Sequence, residues 1–456
     1  VTSFLLHDAA VVSVDQYLER GGGAGIARAV EIGAAAVLEE LERSGLRGRG
    51  GAGFPTARKW RSIVDGPRDT RYVVCNAAEG EPGTFKDRAL MRNDPYQVVE
   101  GLAIAAAVTG ARDAYIGLKA SFTPEREAMT RAVVEMERAG LLDDVTVTIV
   151  AGPEEYLFGE EKALLEVIEG NDPLPRWLPP YLHGLFATSP QLGWEARGSG
   201  TGTDARSNPT LVNNVETLAC VTNVLAGGAD WFRSLGTPSS TGNIVCTVTG
   251  DVERAGVVEV ELGTPMVEVL DHFGAPRAGR RVKAVLSGAS NPVLTGARLD
   301  APVSYEGLAA AGAGLGSAGF IVYDDTACMV HVACLFARFL WVESCGQCPP
   351  CKLGTGAIAR ALEGFAAADV SEDEAAELEH WLANVADANR CALPVEAQQL
   401  IPSLLAEFAD DFTAHEEQRC HLRHDLLLPK IVDIEGGVAR YDERQSSKQP
   451  DWTYGA

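Results

Sequence analysis

The run Cys345-Gly346-Gln347-Cys348-Pro349-Pro350-Cys351, answered forty positions later by Cys391, constrains this chain more than any other stretch. Three cysteines in C-x2-C-x2-C spacing with a remote fourth suit a four-thiolate site, because short loops wrap the first three around one corner while a distant element delivers the last. Soft thiolates select iron–sulfur clusters or zinc, and this tight spacing is commoner around a [4Fe-4S] cube than around structural zinc. Plain packing or disulfides are the blander readings. A cube implies one-electron transfer. The remaining cysteines (Cys75, Cys220, Cys246, Cys328, Cys334 and Cys420) read as small apolar core residues.

Four of ten cysteines gathered in one set indicate a reducing, cytoplasmic compartment rather than a disulfide framework. The 456 residues, 46% of them apolar, predict a soluble chain of about three domains. A formal charge of −24, from 39 basic and 63 acidic side chains, argues against nucleic acid or an anionic membrane surface as partner. The first residues carry no basic stretch followed by a cleavage signal, and no run of about 18 apolar residues predicts a membrane span.

Taken in order, apolar residues at helical spacing over 24–43 predict a helix stopped at Ser44-Gly45. Gly48, Gly50 and Gly53 then satisfy G-x-G-x-x-G, but a helix precedes them where a dinucleotide fingerprint wants a strand. What remains is a glycine-rich backbone with Arg47, Arg49 and Lys59 nearby, able to approach and neutralise a phosphate, or else a flexible surface loop. From residue 70 the pattern is β-α-β-α-β. Strands are predicted at Arg71–Cys75, Ala114–Leu118 and Val145–Val150, with helices at Asp94–Gly110 and Thr123–Gly140. This implies a parallel sheet covered on both faces.

The polar block Asn76–Arg88 follows the first strand, where such sheets bind ligands, so Asn76, Glu79 and Glu81 are candidate hydrogen-bonding groups. Tyr156–Glu161 opens a helix through Glu169, and its acidic start can equally complement the helix dipole. A loop over 193–207 reads as a mobile insertion. Asn213 and Asn214 precede an apolar helix and either cap it or present amides to a ligand. Residues 242–335 read as a small α+β domain resembling a β-grasp, with no chemistry of its own, and Gly312–Gly319 as turn residues. Helices are predicted at Ala327–Trp341, Thr355–Ala368, from a Ser371/Glu374 capping box to Ala386, and at Pro394–His415. These four would enclose the cysteines as a bundle, followed after Gly436 by a loosely held polar tail.

The motifs GLRGRGGAGFPT, CNAAEGEPGTFKDR, YLFGEE, NNVETLA and ESCGQCPPC, in this order, resemble the FMN-binding flavoprotein subunit of respiratory complex I. The same unit recurs as the diaphorase subunit of NAD-linked hydrogenases and formate dehydrogenases. The resemblance runs from about residue 40 to about residue 415. It implies an α/β chain divided into an N-terminal segment (1–65), an atypical Rossmann-like FMN and NADH domain (66–240), a β-grasp domain (241–335), a helical [4Fe-4S] domain (336–430) and a polar tail (431–456). It also implies hydride transfer from NADH to FMN and release of single electrons to the cluster. By motif, Gly48, Arg49, Gly50 and Gly51 would wrap the FMN phosphate and ribityl chain, with Lys59, Asn76, Glu79 and Tyr156 nearby. Gly159, Glu160, Glu161, Asn213, Asn214 and Thr217 would complete that pocket. Glu81 and Glu161 match positions that hold NADH and act in its oxidation, and Phe54 and Tyr181 match aromatic positions at the adenine. Cys345, Cys348, Cys351 and Cys391 match the cluster ligands.

Three departures concern the nucleotide side: Ala78 where the family often has Asp, Ser62 where a second aromatic is usual, and Leu178 where a lysine stands. They favour a soluble formate dehydrogenase-like or other diaphorase module over complex I proper. The alternative is an electron-transfer subunit that receives its electrons from a protein donor such as ferredoxin. The resemblance implies a hetero-oligomer with a thioredoxin-like [2Fe-2S] subunit and a larger iron–sulfur or catalytic subunit.

Overall fold

A computed structural model describes residues 3–67, 70–191 and 205–455. The first layer is helical: α1 (Val14–Glu19), α2 (Ala24–Ser44) and α3 (Thr56–Val64). The predicted first helix is interrupted at Gly33, whose φ of 77° and ψ of 165° no helix accommodates. Then come β1 (Tyr72–Asn76), α4 (Lys86–Asn93), α5 (Pro95–Thr109), β2 (Asp113–Lys119), α6 (Thr123–Arg138), β3 (Thr146–Gly152) and α7 (Glu161–Ile168). The unit ends with β4 (Thr210–Asn214), α8 (Val215–Gly227) and α9 (Ala229–Arg233). Helix α5 stands where the local signals put it: Asp94 accepts the Tyr96 and Gln97 N–H groups, Pro95 takes the first turn, and Gly110 closes it left-handed.

The strands form a wholly parallel sheet of order β3-β2-β1-β4, with Cys75 registered between Ile116 and Asn213. Alternation along β1 sends Val73 and Cys75 into one core with Trp60 and Leu102, and Val74 into another with Phe158, Leu164 and Val212. Strands buried on both faces need such unbroken apolar runs. This mixed α/β architecture with a parallel sheet fits the Rossmann-like expectation, and chain order reverses between β1 and β4, where such sheets open a crevice at their carboxyl ends. Strand β4 itself is absent from the sequence reading. Of the predicted 193–207 insertion only residues 205–207 are described, where the Arg206 N–H donates to Thr188 Oγ1 at 3.0 Å.

The second sheet comprises β5 (Asn243–Gly250), β6 (Gly256–Glu261), β7 (Val282–Ser287), β8 (Leu294–Thr295) and β9 (Gly319–Asp324). Helices α10 (Met266–Asp271) and α11 (Tyr305–Ala310) accompany it. Its order is β6-β5-β9-β7-β8, with β5 and β9 parallel and the other pairs antiparallel. Val248, Val269, Leu270 and Phe320 belong to its own apolar core.

The helices that follow are α12 (Met329–Glu343), α13 (Pro349–Ala367), α14 (Glu372–Asn384), α15 (Leu393–Glu407) and α16 (Ala409–Glu416). The Ser371/Glu374 capping box forms as predicted. The predicted 394–415 helix is two segments, because Phe408 departs from helical geometry at φ −125° and ψ 33°. The tail is not loosely held. It forms a hairpin of β10 (Ile431–Glu435) and β11 (Val438–Tyr441), and fully buried Lys448 places its Nζ 2.9 Å from equally buried Glu343. Among the described residues, no helix is long and apolar enough to cross a membrane.

Candidate cofactor cleft and cluster site

A cleft of about 440 Å³ opens at the carboxyl ends of β1 and β4, within the range of about 300–1,000 Å³ usual for small-molecule sites. Three separate parts of the chain wall it. The parallel-sheet unit supplies Gly50, Gly51, Asn76, Glu79, Glu81, Tyr156, Gly159, Glu160 and Asn214; the second sheet supplies Ser290, Asn291, Gly316 and Ser317; the helical unit supplies Cys391 and Glu396. The expectation that residues 242–335 carry no chemistry is therefore corrected: their loops form one wall.

Backbone and amide groups make the floor. Asn76 Nδ2 donates to the Gly159 carbonyl at 2.7 Å, and Asn214 Oδ1 caps α8 by accepting the Glu216 N–H at 3.0 Å. Asn214 Nδ2 donates to Asp87 at 2.6 Å. Behind it Lys86, fully buried, lies 2.7 Å from Asp87 and 2.9 Å from Glu216. Burial opposes the Lys86 charge, but the Asp87, Glu216 and Glu79 carboxylates outweigh it and hold its pKa above the ordinary value.

The cations proposed from sequence to neutralise a phosphate are engaged elsewhere. Arg49 is buried and donates to the Thr241 and Asn243 carbonyls at 2.7 and 3.1 Å, tying the glycine loop to β5. Arg47 donates to the Gly53 carbonyl at 2.7 Å and lies over the Tyr305 ring. Lys59 pairs with Glu161 at 2.7 Å. Neither Lys59 nor Glu161 is on the cleft wall. The anion-binding capacity of this loop thus lies in its backbone, and Gly51, at φ +115°, keeps that backbone open. Gly48 sits behind the wall, its carbonyl accepting from Tyr305 OH at 2.7 Å.

Asn213 and Thr217 also face away from the cleft: Asn213 Oδ1 accepts the Trp60 Nε1–H at 2.8 Å, and Thr217 Oγ1 accepts the Arg49 N–H at 2.8 Å. For Asn213 this is a physical consequence of β4, since the first of the paired asparagines points to the opposite sheet face from the second. Phe54 and Tyr181 are 48% and 45% exposed and do not reach the wall.

Four carboxyl groups face the cleft with altered proton affinity. Burial, aided by Asp87, pushes Glu79 up to about 7, although its carboxylate accepts the Asp87 and Arg88 N–H groups. Burial also pushes Glu160 up to about 7 against the pull of Lys162. Glu160 caps α7 by accepting the Lys162 and Ala163 N–H groups, each at 2.9 Å. Glu81 is raised by burial, opposed by hydrogen bonds from Tyr156 OH, the Ala289 N–H and Ser290. Glu396, whose oxygens lie 3.2 Å from Tyr156 OH, is raised further by burial and by Glu81. Two carboxyls flanking one phenol share protons rather than both ionising. Gly288, at φ +62°, is needed here, because a Cβ on it would stand 2.1 Å from Glu81 Oε1.

Glu396 and Ser290 escape a reading of the sequence. Glu396 looks like an ordinary acidic residue in a helix's first turn, and its one signal is that it follows Cys391 by five positions.

The cysteine run bridges α12 and α13. Cys348 is the N-cap of α13 and Cys351 lies in its first turn, so the run is half helical rather than all loop. Cys351 is buried in the apolar cluster of the helical unit, and Cys345, Cys348 and Cys391 pack half-buried against that same cluster. Gln347 Nε2 lies 3.7 Å from Cys345 Sγ. The side chains of Gln347 and Arg390 both donate to the Pro175 carbonyl, bracing the run and the Cys391 loop together. Four converging thiols fit an iron–sulfur cube, and Cys391 also stands on the cleft wall.

The family described as the Nuo51 FMN-binding domain matches residues 41–223, and the NADH-ubiquinone oxidoreductase-F iron-sulfur binding region matches residues 331–415. The F 2 subunit of the NADH-quinone oxidoreductase of Rhizobium meliloti (strain 1021) is 37% identical over 397 residues, which cover 84% of this chain and 90% of that protein. The HndC subunit of the NADP-reducing hydrogenase of Solidesulfovibrio fructosivorans is 33% identical over 420 residues, 90% of this chain and 82% of that one. Among solved structures, the NAD+-reducing [NiFe]-hydrogenase in the air-oxidized state superposes with a TM-score of 0.74 at 32% identity, covering 91% of this chain and 68% of that chain. In its H2-reduced state the values are 0.71 and 34%, with 83% of this chain and 62% of that chain covered.

Proposed function

Because the chain belongs to the family of FMN- and [4Fe-4S]-binding oxidoreductase subunits that includes the F subunits of NADH-quinone oxidoreductases, we propose that it moves a hydride between a nicotinamide nucleotide and FMN held in the cleft. It then passes single electrons to a cluster on Cys345, Cys348, Cys351 and Cys391. One observation carries this reading: Cys391 is both a member of the thiol set and part of the cleft wall. FMN supplies the chemistry that couples a two-electron donor to one-electron acceptors.

The residues fit that group. Gly50 and Gly51 bring bare backbone to the cleft wall, and the amides of Asn76 and Asn214 stand at the strand ends. Glu160 and Glu79, with proton affinities near neutrality, bring less negative charge against a phosphate than ordinary carboxylates. Glu81, hydrogen-bonded by Tyr156, the Ala289 N–H and Ser290, is oriented to receive the nucleotide, and Glu161, paired with Lys59, is assigned to the nucleotide from its motif alone. We assign the divisions 1–65, 66–240, 241–335, 336–430 and 431–456 to the parts inferred above. The second sheet is read as a β-grasp, and the helices around the thiols as a bundle for the cluster.

The chain acts in a hetero-oligomer, taken here as a soluble diaphorase module of formate dehydrogenase-like type, cytoplasmic, with a thioredoxin-like [2Fe-2S] subunit. A protein-fed reading is favoured by one feature: the adenine side is thin, with Phe54 and Tyr181 half exposed and the Ser62 hydroxyl spent on the Lys59 carbonyl at 2.7 Å. Anaerobic stopped-flow mixing of the FMN-loaded complex with NADH, and separately with NADPH, decides. Rapid flavin bleaching by one nucleotide is expected and names the substrate. No bleaching by either, with dithionite still reducing the flavin, overturns the diaphorase in favour of a protein donor.

A further inference from the structure

Four side chains used by neither the cleft nor the cysteine run meet at the start of α12. Cys328 precedes that helix, His415 closes α16, and Cys420 and His424 follow in C-x3-H spacing. The sequence reading assigned both cysteines to ordinary packing. Instead the four ligand atoms all lie within 4.8 Å of one another. Cys328 Sγ is 3.1 Å from His415 Nε2, Cys420 Sγ is 3.3 Å from His424 Nε2, and the two sulfurs are 3.9 Å apart.

We propose that Cys328, His415, Cys420 and His424 bind one structural zinc ion. Bonds of about 2.3 Å to sulfur and about 2.0–2.1 Å to nitrogen place the corners of a tetrahedron about 3.4–3.8 Å apart, close to the spacing here. A disulfide brings its sulfurs to about 2.05 Å and has no use for two imidazole nitrogens aimed at them. A two-iron centre with the same ligand types divides them between two metals, which spreads them more widely than this set. Two sulfurs and two imidazoles in tetrahedral array select zinc. Two thiolates also neutralise the dication, which suits a partly buried site.

The surroundings hold the ligands in place. The His415 ring lies against both His331 and His424, with centroids 5.5 and 5.1 Å away. The His331 ring stacks on His424 with centroids 4.2 Å apart and planes at 17°. Such outer contacts orient metal ligands. The backbone is already joined at this point: the Cys328 N–H donates to the Arg423 carbonyl at 3.2 Å, and the Arg423 N–H to the Thr326 carbonyl at 2.7 Å. An ion here fastens the beginning of α12, the end of α16 and the segment leading to the tail.

The test is metal analysis of the full chain, loaded with FMN and its iron–sulfur cluster and washed with chelator. About one zinc per chain is expected, with zinc-edge X-ray absorption showing two sulfur neighbours at about 2.3 Å and two nitrogen neighbours at about 2.0 Å. The C328S/C420S variant should lose at least nine-tenths of the zinc while keeping iron and flavin. Should that variant fold poorly, H424N, altered at an exposed ligand, should release zinc to a colorimetric chelator at least tenfold faster than the parent. Zinc absent from chain grown with added zinc overturns the proposal, whether peptide mapping finds the two cysteines disulfide-linked or free. So does zinc with four sulfur neighbours, or zinc that both variants hold as tightly as the parent.

Discussion

Glu81 is held by three donors from two parts of the chain, Tyr156 on one side and Ala289 with Ser290 on the other, so its position is set by both. A glutamine there cannot accept all three bonds through one amide oxygen. Glu81→Gln should lower kcat/KM for the nucleotide at least tenfold while FMN content, measured by released flavin fluorescence, stays unchanged. Undiminished nucleotide kinetics would remove Glu81 from the reaction. Glu79 carries a pH signature. Its folded-state pKa of about 7 lies above the ordinary carboxylate value, so the folded chain binds more protons than the unfolded one between about pH 4.5 and 7, and stability falls as pH rises through that window. Glu79→Gln should flatten this fall, worth about 1–3 kcal/mol. Thermal midpoints of the two proteins at pH 5 and 8 give the comparison.

Among elements, Arg49 ties the glycine loop between α2 and α3 to the start of β5. Arg49→Ala would leave the Thr241 and Asn243 carbonyls without their donor in a buried joint, a loss of about 2–4 kcal/mol, and weaken FMN retention. Arg49→Lys should recover little, because one ammonium does not reproduce the guanidinium fork. Urea unfolding and flavin dialysis measure both. The elements that were legible in sequence carry their signals locally: Asp94-Pro95 with Gly110 for α5, Ser371 with Glu374 for α14, unbroken apolar runs for β1 and β2. Strand β4 was not, because Leu211 and Val212 make a short run whose identity comes from pairing with β1, more than one hundred residues away. The site divides the same way. Of the residues on the cleft wall, Gly50, Gly51, Asn76, Glu81 and Cys391 stand in stretches that the sequence singles out. Ser290 and Glu396 join the wall only through side chains brought to them by folding, and the choice left open at Asn213 turns on the face of a strand that was not recognised.

At the scale of the whole molecule, the tail closes over the helix that carries the cysteine run. Lys448 and Glu343 are both fully buried, and Glu343 also accepts from Gln445 and from the Tyr156 N–H. Lys448→Met should cost about 3–5 kcal/mol by leaving that carboxylate unpaired, and combining it with Glu343→Gln should restore most of the loss. Calorimetry and iron content per chain would register both effects. The same pair sets an order of events during synthesis. Glu343 is translated 105 residues before its partner, two positions ahead of the first cysteine of the run. A nascent chain that has made all four thiols still lacks the cation that lets this helix end settle among its neighbours. A ribosome stalled between Cys391 and Lys448 would hold a chain with all four cysteines of the set and without the cation that pairs Glu343.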